Sequence, residues 1–109
     1  MAFDQALVDR VRDVLANEPG VTGRKMFGSY AFFINGHMCG GVTADRLLIR
    51  TRPETYQATL LKAHVSRFPD EGKVMNNFAT VDEIAFPEDE DLLAWLAEGI
   101  EIARTLPPK

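Results

Sequence analysis

Two apolar segments flank an Asn-Gly pair in residues 30–42, YAFFINGHMCGGV. Asn35-Gly36 is the strongest short signal for a β-hairpin, because both residue types tolerate the positive φ angles that a two-residue turn requires. A turn at this position places Ile34 opposite His37. The sequence therefore predicts two antiparallel strands joined at residues 35 and 36.

The same register, continued in both directions, predicts a β-meander. One-for-one pairing places Phe32 opposite Cys39, and a turn at residues 43–46 starts a third strand. We expect a shorter strand around residues 24–27, before the hairpin. A further strand is predicted at residues 73–80, from a run of mostly apolar residues that two asparagines weaken.

The register also divides the side chains between two faces, because alternate residues of a strand point to opposite sides of the sheet. One set is entirely apolar and is predicted to pack on helices: Ala31, Phe33, Met38, Gly40, Val42, Leu47 and Ile49. The other set is mixed and is predicted to face away from the helices: Tyr30, Phe32, Ile34, His37, Cys39, Leu48, Arg50 and Arg52. A face of this second kind stays open to water or meets a partner. The candidate interaction face is therefore Tyr30, Phe32, Ile34, Leu48 and Arg50.

Three segments have the apolar periodicity or the end signals of helices: residues 3–17, 54–63 and 87–105. Asp4 is suited to cap the first helix, and four carboxylates open the last one, where the helix dipole favours negative charge. The predicted order is α-β-β-β-α-β-α. This order indicates an α+β fold, in which helices pack on one face of an antiparallel sheet.

Length and composition fit one small globular domain spanning residues 1–109, since 46% of the residues are apolar and 26% are charged. No apolar run approaches the roughly 20 residues of a membrane helix, so we expect no membrane contact. The first residues lack the pattern of a secretory signal, and the single cysteine excludes an internal disulfide. A cytoplasmic location is expected.

The net charge of −4 is distributed unevenly. Residues 1–67 carry nine Lys and Arg against six Asp and Glu, and residues 68–109 carry three against ten. The basic residues are scattered rather than gathered in a stripe. Direct nucleic-acid binding is disfavoured, because its affinity depends on neutralising many phosphates.

The search for catalytic motifs gives one weak cluster. His37, Cys39 and Arg50 share a predicted face, where Arg50 would lower the pKa of the thiol and His37 would serve as a base. Two metal ligands are too few for a zinc site, and the sequence has no phosphate-binding glycine loop and no nucleophile elbow. A small-molecule site, a metal site or a thiol enzyme at this cluster is kept as the alternative hypothesis. No cofactor and no catalytic residue are predicted.

A second motif precedes the hairpin. Residues 24–30, RKMFGSY, are followed by an apolar strand, Asn35-Gly36 and the segment ADRL at 44–47. This arrangement resembles the TfoX N-terminal domain family, whose members show R-x-M-F-G-G-Y, an apolar strand and D-G-x-M. The resemblance covers nearly the whole chain. The residues that carry it are Arg24, Met26, Phe27, Gly28, Tyr30 and Gly36.

The resemblance implies a bacterial α+β domain similar to secretion chaperones, with no established catalytic activity. Full-length members carry a second, helical domain and promote expression of competence genes, as coactivators rather than DNA readers. Because the sequence ends at residue 109, we expect no second domain and do not carry competence regulation over. We expect a non-enzymatic module that binds an unidentified protein partner, and a homodimer is one expected assembly. Arg24 is expected either to pair with the acidic last helix or to contact a partner.

Overall fold

A computed structural model describes residues 3–26, 28–68 and 77–108 of the chain. Within these residues an open sheet of six antiparallel strands carries three α-helices. The helices are α1 (Gln5–Val14), α2 (Pro53–Leu60) and α3 (Asp89–Thr105), with a single 3-10 turn at Glu83–Ala85. The strands are β1 (Val21–Met26), β2 (Ser29–Ile34), β3 (His37–Thr43), β4 (Arg46–Arg50), β5 (Val65–Arg67) and β6 (Phe78–Val81). The α+β class is confirmed, and so is the predicted order of a helix, a strand meander, a second helix, further β-structure and a last helix, with β5 as an additional strand.

Local sequence signals account for the helix ends. The Asp4 carboxylate accepts hydrogen bonds from the backbone N–H groups of Ala6 and Leu7, which caps α1. Pro53 occupies the first turn of α2, where its missing N–H costs nothing. At the start of α3, the Asp91 side chain accepts from the Glu88 N–H, as part of a capping box.

The strand order in space is β1-β2-β3-β4-β6-β5. β6 therefore inserts beside β4, and among the described strands β5 pairs only with β6. The three-residue strand β5 was not predicted. The predicted strand at residues 73–80 corresponds to β6, and its first part, residues 73–76, lies outside the described residues.

The Asn35-Gly36 hairpin forms as predicted, with φ angles of 53° and 88°, and Ile34 lies opposite His37. The predicted register then breaks. A β-bulge shifts the pairing between Phe33 and Phe32, so that Phe32 lies opposite Gly40 and not opposite Cys39. An extra residue on one strand turns the side chains that follow it to the other face.

The orientation predicted for β2 is wrong. Phe32 and Ile34 belong to the apolar core beneath the helices, with exposures of 2% and 0%. Cys39 joins the same core, whereas Met38, predicted to be in the core, lies on the opposite face. The predicted inward orientation of Val42, Leu47 and Ile49 is confirmed.

All three helices lie on one side of the sheet. α3 packs on β2, β3 and β4, and α1 packs on β3 and α3. α2 contacts β5 and β6, and its Thr55 hydroxyl donates to Glu98 of α3 at 2.5 Å. We call the side covered by helices the inner face and the other side the outer face.

Candidate functional site

A cavity of about 230 Å³ opens on the outer face. Its lining is almost entirely apolar and comes from five neighbouring strands (β1, β2, β3, β4 and β6) and the residue after β5: Met26, Ser29, Ala31, Met38, Leu48, Phe68 and Phe78. We call this cavity the anchor pocket. Ala31, Leu48 and Phe78 at its base are nearly fully buried, and Met26, Met38 and Phe68 are half-buried.

The turn between β1 and β2 sets one wall of the anchor pocket. Met26 pairs with Ser29 across this turn, and Gly28 adopts a φ of 79°. A positive φ of this kind is easily reached only by glycine, which accounts for Gly28 in the family motif. Phe27, also part of that motif, lies outside the described residues.

Arg24 stands beside the anchor pocket. It lies opposite Ala31 in the β1–β2 ladder, and its guanidinium carbon is 4.8 Å from the centre of the Phe33 ring. This distance is within the range of a cation–π contact. Arg24 is exposed on the outer face, whereas α3 lies on the inner face, so the expected pairing of Arg24 with α3 is not made.

A second arginine on the outer face is held by its own chain. The Arg46 guanidinium donates to the Thr80 hydroxyl at 3.1 Å and to the Ser66 hydroxyl at 3.3 Å. It also lies 3.4 Å from the Asp82 carboxylate. Arg46 therefore ties β4, β5 and β6 together beside Phe68, a residue that also lines the anchor pocket.

The predicted interaction face does not exist as one surface. Phe32 and Ile34 are sealed in the core, and Tyr30 lies half-buried on the inner face. The Tyr30 ring is 5.7 Å from the Phe3 ring, and its hydroxyl accepts a hydrogen bond from Arg12 at 3.1 Å. That hydrogen bond raises the pKa of the Arg12 guanidinium.

Leu48 and Arg50, the other two members of the predicted face, are also not available as predicted. Leu48 points to the outer face, as expected, but it is only 3% exposed because it forms the base of the anchor pocket. Arg50 is half-buried and donates to the Met38 carbonyl at 2.8 Å. A Cβ built on Gly99 of α3 lies 3.3 Å from the Arg50 Cβ, which places Arg50 beside that helix.

His37 and Cys39 are occupied by contacts within the chain. The His37 Nε2 lies 2.6 Å from the Pro107 carbonyl oxygen. The Cys39 Sγ donates to the Phe32 carbonyl at 3.5 Å, and burial raises the pKa of the thiol from 9.0 to about 11. A raised pKa lowers the thiolate fraction at neutral pH, and the thiolate is the nucleophilic form.

Two further observations concern ions and membranes. In residues 3–26, 28–68 and 77–108, no three His, Cys, Asp or Glu side chains gather closely enough to hold a metal ion. None of the described helices has the length and apolar character needed to cross a bilayer.

Sequence reasoning missed the anchor pocket because both faces of β2 are apolar, and the wrong one was assigned to the helices. One available signal was the pair Gly40-Gly41, since glycine inside a strand often marks a bulge or a close backbone approach. A Cβ on Gly40 would collide with Leu96 of α3, and a Cβ on Gly41 would collide with the backbone of Tyr30.

Comparison of the sequence with known protein families identifies the family to which the chain belongs. The family described as the TfoX N-terminal domain matches residues 13–103, which is most of the chain. No curated protein and no solved structure matches the sequence, and the predicted likeness to secretion chaperones stays a prediction. The family match includes every residue of the motif that begins at Arg24. The chain belongs to the TfoX N-terminal domain family.

Proposed function

We propose that this chain is a regulatory domain that works by binding another protein through its outer face, without catalysis. Membership of the family is consistent with a regulatory or interaction domain. The observation that carries the proposal is the anchor pocket, an apolar cavity on the face of the sheet that none of the described helices covers. Protein partners characteristically bury apolar side chains in such pockets, surrounded by a polar rim.

A heterologous partner fits this face better than a second copy does. Arg24 lies on the outer face and makes no ion pair among the described residues, whereas the charge of Arg46 is offset by Asp82. A symmetric dimer through this face would place the Arg24 side chains of two copies in one contact, and like charges in a desolvated contact are unfavourable. The homodimer was predicted on a face that includes Phe32 and Ile34, and their burial removes its original basis.

The cytoplasm of a bacterium is the proposed setting. One buried, unpaired cysteine suits a reducing compartment. Within that setting the regulated process is proposed to be transcriptional, of the coactivator type, because that is the role that the family resemblance implies. A coactivator needs a protein contact and not a run of phosphate contacts, in agreement with the scattered basic residues.

Site-specific photocrosslinking in the native host tests the proposal. A benzophenone amino acid replaces Thr22, an exposed residue of β1 that lies opposite Phe33 on the outer face. The matched control carries it at Glu90, an exposed residue of α3 on the other side of the molecule. We expect a heavier, protein-sized adduct from position 22 and none from position 90.

Three results would contradict the proposal in different ways. Equal yields of adduct from positions 22 and 90, or no adduct from either position, would contradict the outer face as the contact surface. An adduct with the mass of two copies would show self-association in place of a heterologous partner. Salt-sensitive binding of duplex DNA by the purified domain would replace the protein partner with nucleic acid.

A further inference from the structure

The size of the anchor pocket points to a single side chain as its occupant. A dry protein cavity of roughly 150 Å³ accepts a benzene molecule, whereas pockets for drug-sized ligands measure about 300–1,000 Å³. The anchor pocket, at about 230 Å³, lies between these values. It has room for one aromatic or large aliphatic side chain and is too small to enclose a long acyl chain.

The lining of the pocket specifies an apolar group. Leu48 and Phe78 form the base, and Met38 and Phe68 stand at the sides. Methionine side chains adapt to the shape of an inserted ring and make favourable contacts between sulfur and aromatic groups. A polar side chain placed here would lose its hydrogen bonds to water without replacement.

Charge at the edge of the pocket specifies the second feature of the occupant. Arg24 lies directly opposite Ala31, which lines the pocket, and such cross-strand pairs have Cα atoms about 4.5–5.5 Å apart. The Phe33 ring supports the guanidinium from one side. Among the described residues Arg24 makes no ion pair with a carboxylate, in contrast to Arg46. A carboxylate is the natural ligand of such a guanidinium.

We propose that the partner inserts a segment with one large apolar side chain and one carboxylate two residues away, the first in the anchor pocket and the second on Arg24. In an extended chain, residues i and i+2 point to the same side and lie about 6.6–6.8 Å apart. An extended segment can therefore present both groups to the outer face, where Arg24 lies opposite Ala31 of the pocket lining. The inference rests on the proposed function, because it names the chemistry of the partner at that same surface.

Titration of the ¹⁵N-labelled protein with three peptides, followed by NMR, tests the inference. The probes are acetyl-Phe-Ser-Glu-amide, the matched Gln peptide and acetyl-Ala-Ser-Glu-amide. We expect the Phe-Ser-Glu peptide to shift the signals of Met38 and Leu48. We expect it to bind roughly two- to fivefold more tightly than the Gln peptide, as for an exposed ion pair. The Ala peptide should produce no saturable shift.

Two variants separate the roles of charge and cavity. Arg24→Gln, at an exposed position, should keep binding of both Phe peptides but remove the preference for Glu. Ala31→Leu should fill the pocket and remove binding of both peptides, whereas Ala97→Leu, on an exposed site of α3, should leave binding unchanged. If Ala31→Leu fails to fold, the result for Arg24→Gln alone decides the inference.

Equal affinity for the Glu and Gln peptides, or an unaltered preference in Arg24→Gln, would overturn the proposed chemistry. Decanoate binding at the same signals, with no response to any peptide, would replace the polypeptide with a small amphiphile. A crosslinked partner at position 22 without a peptide response would remove this inference and leave the proposed function standing. A peptide response without any adduct at position 22 would show that the pocket and Arg24 bind this chemistry, but it would contradict the proposed function and with it the assignment of the peptide chemistry to a partner protein.

Discussion

Gly99 of α3 packs directly against the carbonyl oxygen of Cys39 in β3, and the contact leaves no space for a Cβ at position 99. The helix thus approaches the strand backbone at the point where the bulge turns β3. Because Cys39 lies in the apolar core, this close approach fixes the height of α3 above the sheet.

Gly99→Ala is therefore expected to destabilise the fold by about 1–3 kcal/mol, as overpacking of a core does. On helix propensity alone the same change would stabilise the fold by roughly 1 kcal/mol, so the sign is diagnostic. Urea unfolding gives the measurement. Ala97→Gly, at an exposed site of the same helix, reports the propensity effect by itself. A stabilised Gly99→Ala variant would contradict the close approach.

Phe32 and Phe33 are adjacent in sequence and lie on opposite faces, which gives a matched pair of substitutions. Phe32→Ala should cost about 3–5 kcal/mol, because it empties a buried site in the core. Phe33→Ala should cost less than about 2 kcal/mol, because its ring is half-buried on the outer face. Denaturant unfolding compares the two variants. If Phe33→Ala lost more stability than Phe32→Ala, the result would support the orientation first predicted from the sequence, with Phe33 in the core.

The buried thiol of Cys39 predicts a loss of stability at alkaline pH. Its pKa is raised to about 11 in the folded protein, against 9.0 for a thiol in water. The folded state therefore holds the proton more tightly. The associated stability is complete below pH 9.0 and is lost as the pH rises through about 11. The loss near pH 10.5 should reach about 2 kcal/mol.

Cys39→Ala isolates this effect, because other groups that titrate at alkaline pH are shared by both proteins. The free energy of unfolding, measured at about pH 8 and about pH 10.5, should fall less in Cys39→Ala than in the natural sequence. An equal fall in both proteins would show that the thiol does not contribute.

Ala44, in the turn between β3 and β4, adopts a φ of 51°. This left-handed conformation costs a residue with a Cβ about 1–2 kcal/mol, and glycine avoids most of that cost. Ala44→Gly should therefore stabilise the fold by about 0.5–1 kcal/mol after the greater freedom of glycine in the unfolded chain is subtracted. Thermal unfolding reads out the change. Ala58→Gly, at an exposed position in α2, should instead destabilise it.

The turns and helices were predictable because each depends on short-range chemistry. Asn35-Gly36 specifies its hairpin through allowed φ angles, and Asp4 specifies the start of α1 through a local hydrogen bond. The faces of the sheet were not predictable in this way. Residues of β2 are apolar on both sides, so the choice between Phe32 and Phe33 depends on contacts distant in sequence.

The anchor pocket was not predictable from the sequence for the same reason, because it too depends on contacts between residues distant in sequence. The bulge turns Met38 to the outer face and Cys39 to the inner face, and it lies where α3, more than 50 residues later in the chain, approaches β3. Alternation along β4, by contrast, correctly separated Leu47 and Ile49 from Leu48. Arg24 was identified through the family motif, but its position beside the anchor pocket required the register of β1 on β2.

The insertion of β6 between β4 and β5 has a consequence during translation. The free edge of β4 has no neighbour until Phe78–Val81 leaves the ribosome, and β5 cannot join the sheet before then. Until that moment the nascent chain exposes an unpaired apolar strand, which is a known starting point for aggregation. Slow synthesis across residues 50–77 would prolong that exposure, so the speed of the ribosome over this stretch bears on the yield of native protein.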